Sequence, residues 1–164
     1  ITFKRVLQPH RVTQFVQGIW RQAEVAAKAL GLPTEAVVGH AALETGWGAH
    51  QPGGGSNNLF GIKADSRWQG SKVSAATTEM DGHTRREKAQ FRAYGSTSEG
   101  LADYVRFLKT NPRYAEAIKA GVSSEEFATG LQKAGYATDP NYAEKLKTTI
   151  ARVAAAKPAA RPAI

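Results

Sequence analysis

Residues 34–48 read Thr34-Glu35-Ala36-Val37-Val38-Gly39-His40-Ala41-Ala42-Leu43-Glu44-Thr45-Gly46-Trp47-Gly48. Thr34 has the side chain of a helix N-cap, and Ala36, Val37, Val38, Ala41, Ala42 and Leu43 then place apolar groups around most of a helix circumference. A helix that is apolar on nearly every side belongs inside a fold, so this stretch predicts a central, buried α-helix. Glu44 stands in its last turn, and the glycines that follow end it. Removing a carboxylate from water disfavours its charged form, and a carboxyl still protonated near neutral pH is suited to donate a proton. The plainer alternative is a carboxylate that hydrogen-bonds loop amides at a helix end.

Upstream, Val12, Phe15, Val16, Ile19, Ala23, Ala26, Ala27 and Leu30 recur every three or four residues, the spacing of one helix face, before Gly31 and Pro33 stop the pattern. Downstream, Gly46, Gly48, Pro52 and the triplet Gly53 to Gly55 read as a permissive, mobile loop. Residues 71–80, the turn dipeptide Asp81-Gly82 and the alternation from Glu87 to Tyr94 predict a β-hairpin. The rest returns to helix. Ser96-x-x-Glu99 and Ser123-x-x-Glu126 have the capping-box form. Asn111-Pro112 and Gly121 bracket a shorter helix, and Asp139-Pro140 reads as an N-cap with proline at the first helical position of a last helix through Leu146, Ile150 and Val153. The layout predicts an α+β fold, a mainly helical body with a small β lobe over about residues 64–95 and a groove between them.

At 164 residues with 41% apolar content, the chain fits one domain, placed at 12–154. Residues 1–11 read as a terminal segment or linker, and the Ala- and Pro-rich residues 155–164 as a disordered tail. The net charge of +8 is concentrated in those ends, which hold five basic residues and no acid. A nucleic-acid binder instead gathers charge on one folded face, so nucleic acid is not the expected partner. No run reaches the roughly 18 apolar residues of a membrane span, and no insertion is expected. The start at Ile1 rather than Met permits a leader or a further domain upstream.

Other chemistries find no support. The chain has no cysteine, which removes thiol nucleophiles and zinc–thiolate sites. His10, His40, His50 and His83 lack paired metal spacing; His40 precedes Glu44 by four and reads as a helix-face residue. There is no Gly-x-Ser-x-Gly elbow and no phosphate loop, so neither metal nor cofactor is expected. Glycoside hydrolysis, by contrast, asks for two carboxylates, one to protonate the leaving oxygen and one to activate water or attack the sugar. Glu79, near the hairpin turn, is the leading partner for Glu44, with Asp65 and Asp81 as alternatives. Trp47, Phe60, Trp68, Tyr94, Tyr136 and Tyr142 lie in or beside the segments around the groove. Aromatic faces suit sugar rings, although each such residue taken singly is more often core.

Four ordered motifs sharpen this. Ala41-Ala42-Leu43-Glu44-Thr45-Gly46-Trp47-Gly48, Asn58-Leu59-Phe60-Gly61-Ile62-Lys63, Asn111-Pro112-Arg113-Tyr114 and Gly135-Tyr136-Ala137-Thr138-Asp139-Pro140 resemble the family 73 glycosidases, which include the C-terminal domain of the flagellar peptidoglycan hydrolase. The resemblance spans about residues 13–153. It implies a lysozyme-like fold, β-N-acetylglucosaminidase activity on peptidoglycan glycan strands and a place in the periplasm; a monomer is expected. It further implies an upstream rod-assembly domain with flagellar rod proteins as partners. By position it makes Glu44 the general acid, Glu79 the second carboxylate and Tyr136 a cleft tyrosine that takes part in catalysis. Trp47, Asn58, Phe60, Lys63, Tyr94 and Tyr142 are the candidate substrate contacts. Three routes stay open: inversion, direct attack by a carboxylate about 5 to 5.5 Å from Glu44, or attack by the substrate's own N-acetyl group. A lytic transglycosylase or muramidase on the same fold, and a wall-binding module without turnover, are the competing readings.

Overall fold

In the computed structural model, which describes residues 9–80 and 84–159, five α-helices and a two-stranded antiparallel sheet make up the fold. Helix α1 covers Pro9–Leu30 and α2 covers Thr34–Thr45; strands β1 and β2 cover Lys72–Met80 and Thr84–Arg92. Helix α3 is Thr97–Thr110, α4 is Ser124–Lys133 and α5 is Tyr142–Ala156. The side chains of residues 9, 78–80, 84 and 85 fall outside the description.

Helix α2 is central, in contact with α1, α4 and α5. Ala36, Val37, Val38, His40, Ala41 and Ala42 are wholly buried on it. Taking each of the two valines out of water stabilises the fold by about 1.5–3 kcal/mol. Gly39 shows how closely α5 approaches: a Cβ at that position would lie 2.4 Å from Ile150 Cγ1 and 3.0 Å from Ile150 Cα. From the other side α1 contributes Val12, Val16, Ala23, Ala26, Ala27 and Leu30 to the same core, the face its spacing predicts.

The strands pair Lys72 with Arg92 through to Met80 with Thr84, so the hairpin is present; Asp81-Gly82 lies outside the described residues. An isolated bridge between Lys63 and Phe91 ties the preceding segment to β2. The glycine-rich loop is anchored as well. The Asn57 amide donates to Gln51 Oε1 at 3.0 Å, its side-chain nitrogen donates to the Tyr94 carbonyl at 3.0 Å, and Tyr94 N donates to Ser56 O at 2.8 Å.

Helix starts differ in detail from expectation. Pro33, in extended conformation, occupies the N-cap of α2, and Thr34 is the first helical residue. Ser123 and Glu126 form the full reciprocal capping box, whereas Ser96 accepts from Glu99 N while the Glu99 carboxylate turns to Gly95 N. The bracketed helix after Asn111 is only a 3-10 turn at Pro112–Tyr114. Asp139 does not cap α5 directly. Its Oδ1 accepts from Asn141 N in a local turn, Asn141 takes the N-cap position, and Gln132 of α4 reaches across to accept from Ala143 N at 2.7 Å. Asp side chains favour such turns over longer-range caps.

Candidate active site

Glu44 sits one residue before the end of α2, and the chain around it is tightly fixed. Gly46 closes the helix in the left-handed region, at φ 55, with its N–H on Ala42 O, and Trp47 N reaches the same carbonyl at 2.9 Å. The left-handed conformation suits glycine. Thr45, buried, donates its hydroxyl to Ala41 O at 2.7 Å and accepts from Gly48 N at 2.8 Å. Trp47 is itself left-handed, at φ 59, a conformation uncommon in residues with a side chain. Its ring is held edge-on against Phe15 of α1, centroids 6.2 Å apart.

The Glu44 side chain is open to solvent, yet protein surrounds most of its carboxyl. That burial pushes its pKa up from 4.5 to about 7. Among the described residues no hydrogen bond or ion pair engages the carboxylate, which removes the alternative of a carboxylate spent on loop amides. Three tyrosines lie within reach of its charge. Burial first, and then Glu44, raise the phenols of Tyr104, Tyr136 and Tyr142.

Tyr136 follows α4 and comes to this cluster by donating its hydroxyl to the Phe60 carbonyl at 3.0 Å, across 76 residues of sequence. Tyr142 is buried at the start of α5, its ring 6.0 Å from that of Tyr136. Phe60 is 2% exposed and stacks flat on Tyr104 at 3.5 Å, which leaves no ring face for a ligand. Asn58, 1% exposed, is a brace: its amide donates to Ile62 O and Arg92 O at 2.9 Å, and its Oδ1 accepts from Ile62 N at 3.0 Å. Lys63 is exposed beyond this brace.

Tyr94 and Trp68 belong to a different constellation at the base of the sheet. The Tyr94 hydroxyl donates to Asp103 Oδ2 at 2.5 Å, and Arg92 Nη1 donates to the same oxygen at 2.9 Å. The Arg92 guanidinium lies 4.5 Å over the Trp68 ring, beside a cavity of about 550 Å³ shared with Arg106 and Phe107. Glu79 stands on β1 with its Cα opposite Arg85; its side chain lies outside the described residues. So does Asp81, while Asp65 pairs with Arg67 at 3.3 Å on the surface.

Sequence reasoning missed His40 and Asp103. His40, placed on a helix face, is buried at the centre of the aromatic cluster, with Nδ1 2.6 Å from the Tyr104 hydroxyl. The apolar run around it was the available signal, because the middle of a helix apolar on nearly every side has no face turned to water. Asp103 is equally buried, but nothing in its local sequence separates it from a solvated acid on α3. Among the described residues no group of three or more His, Cys, Asp or Glu stands together as a metal site.

Residues 20–155 match the glucosaminidase family model, described as mannosyl-glycoprotein endo-beta-N-acetylglucosaminidase. The chain is 47% identical over 143 residues to the peptidoglycan hydrolase FlgJ of Vibrio cholerae, a match covering 85% of this chain and 43% of that protein. It thus spans less than half the length of the curated relative. Among solved structures, the peptidoglycan hydrolase of Sphingomonas sp. A1 superposes with a TM-score of 0.75 at 40% identity, covering 92% of this chain and 98% of that one. The truncated glycoside hydrolase domain of Salmonella typhimurium FlgJ gives 0.71 at 41% identity, covering 88% and 98%. With its α+β layout and a family model matched over residues 20–155, the chain belongs to the glucosaminidase family of glycoside hydrolases.

Proposed function

We propose that this domain cleaves the β-1,4 bond after N-acetylglucosamine in peptidoglycan, with Glu44 as the proton donor. The observation that carries the proposal is the state of Glu44: unpaired among the described residues, open to solvent, and raised by burial to about 7. A general acid works best when its pKa lies near the operating pH, because it is then both protonated and able to release the proton. Glu44 donates that proton to the leaving oxygen as the C1–O bond breaks. Water adds to C1 and gives its proton to a base, for which Glu79 on β1 is the carboxylate proposed from its place in the motif pattern. Lys63 and Tyr136 are the proposed contacts to the sugar. Trp47, Asn58, Phe60 and Tyr142 support the site from within the fold.

Relatives named peptidoglycan hydrolase FlgJ support the cell wall as the place of action, reached from the periplasm, with flagellar rod passage as the setting. No described helix is long and apolar enough to cross a membrane. Incubation of purified peptidoglycan with wild type, Glu44→Gln and Glu79→Gln, followed by mass analysis of the released fragments, tests the reading. Wild type should release fragments with a reducing N-acetylglucosamine end and Glu44→Gln should release none. Anhydro-muramyl ends would replace the reading with transglycosylation. Retained activity in Glu79→Gln would transfer the second role to the substrate's N-acetyl group, and retained activity in Glu44→Gln would refute the proposal.

A further inference from the structure

His40 lies one helical turn before Glu44, so the two share a face of α2. Its ring is enclosed by five others. Tyr136 is nearest at 4.5 Å between centroids, followed by Phe60 at 5.3 Å, Tyr104 at 5.5 Å, Phe127 at 5.8 Å and Tyr142 at 6.3 Å. These rings come from α3, α4, α5 and the two loops that form the site, so His40 is where separate elements meet. Among the described residues the hydrogen bond to Tyr104 is the ring's only polar tie. His40 Nε2 and the Tyr142 hydroxyl are buried with no partner among the described residues.

That arrangement fixes the ring's protonation. If Nδ1 carried the proton and donated to Tyr104, the Tyr104 hydroxyl hydrogen and the Nε2 lone pair would both be left unsatisfied. If Tyr104 donates to Nδ1, Nε2–H and the Tyr104 oxygen lone pairs are left over, so either arrangement leaves one donor and one acceptor unmet. A phenol is a stronger donor than acceptor and an imidazole nitrogen is a strong acceptor, so the O–H···Nδ1 bond is the better one and the second arrangement prevails. A charged ring would add a donor at Nδ1 and desolvate a full charge among aromatic rings, and burial accordingly holds the imidazole down at about 3.

We propose that His40 is a positioning residue for the reaction: an uncharged Nε2–H imidazole, gripped by Tyr104, against which Tyr136 is seated so that its hydroxyl meets the Phe60 carbonyl beside Glu44. The inference rests on the hydrolase reading above and adds to it a group that never touches the substrate. The imidazole acts through shape and a fixed tautomer. A leucine would fill the space without holding Tyr104, and a charged side chain would place a cation one turn from the acid and draw its proton away.

Two measurements test this. In wild type, two-dimensional proton–nitrogen NMR of the histidine rings should show His40 as the Nε2–H tautomer from pH 5 to pH 8 with no titration; an Nδ1–H or a charged ring in that range overturns the proposal without any variant. In steady-state assays on soluble peptidoglycan fragments, His40→Phe should lower kcat about tenfold with KM changed less than about twofold, and the alkaline limb near pH 7 should stay in place. His40→Gln, whose side-chain oxygen can accept from Tyr104, should recover most of that loss. In a Tyr136→Phe background the further effect of His40→Phe should shrink to less than about twofold, because the hydroxyl it seats is already gone. Full additivity, or an unchanged kcat in folded His40→Phe, refutes the positioning role. If wild type itself releases no fragments, the hydrolase reading fails instead, and the NMR result still reports on the tautomer.

Discussion

Raising the pH from 6 to 8 should switch the site off through Glu44. With the carboxyl pushed up to about 7, the protonated fraction falls from about 90% at pH 6 to about 10% at pH 8, so kcat/KM on peptidoglycan should drop about tenfold across that interval. The assay is initial-rate release of reducing ends from purified peptidoglycan between pH 5 and pH 9 at constant ionic strength. Salt must be fixed because a chain of net charge +8 also feels the anionic wall through long-range attraction. The same shift has a stability sign. The folded carboxyl holds its proton more tightly than the unfolded one, so stability is fully present below 4.5 and lost as pH rises through 7. Glu44→Gln should therefore raise Tm relative to wild type at pH 8 and leave it nearly unchanged at pH 4.5, by an amount moderated because the group opens to solvent. An alkaline limb centred near 4.5 rather than near 7 would refute the reasoning, since it would mean that burial does not desolvate the acid or that another group supplies the proton.

Three further outcomes follow from the packing. His40 titrates at about 3 when folded against 6.5 unfolded, so the unfolded chain gains a proton first as pH falls. Wild type should lose about 2–3 kcal/mol of stability between pH 7 and pH 4.5 that His40→Gln does not lose, read from urea midpoints at the two pH values. Gly39→Ala should destabilise by about 1–3 kcal/mol through its clash with Ile150, and Ile150→Ala in the same chain should recover part of that loss, measured by thermal unfolding. Asp103→Leu should cost about 3–5 kcal/mol, because Arg92 and the Tyr94 hydroxyl lose a shared buried partner; chemical denaturation measures it, and a change below 1 kcal/mol would show the pair to be idle.

The helix that decides the fold was legible because burial on all sides leaves a compositional trace: seven of the eight residues from Ala36 to Leu43 are Ala, Val, Leu or Gly. Glu44 was legible for the same reason, as a carboxylate at the end of such a run. The helix boundaries were less so. Thr34 and Asp139 carry capping side chains, but Pro33 already supplies the extended geometry for α2, and Gln132, ten residues upstream of Tyr142, caps α5 from another element. A local pattern does not contain a partner that distant. Phe60 and Tyr142 have the residue type of a sugar platform, and only the stack on Tyr104 and the burial at the start of α5 show them to be interior.

The same distinction explains why the site is built as it is. A carboxyl kept protonated near pH 7 needs low-polarity surroundings that stay in place when substrate water comes and goes, and a loop cannot supply them. Here the acid is carried by a helix packed against three others, and its surroundings are rings rather than charges: Tyr104, Tyr136 and Tyr142, each with its phenol pKa raised. Tyrosine supplies bulk that excludes water, and the hydroxyls of Tyr104 and Tyr136 each bond a neighbour, so the cluster is apolar yet directional. A lysine or arginine in any of these positions would lower the pKa of Glu44, and an aspartate would add a second charge to desolvate. The buried neutral histidine is part of the same solution, since it orders the rings through one hydrogen bond without placing a charge beside the acid.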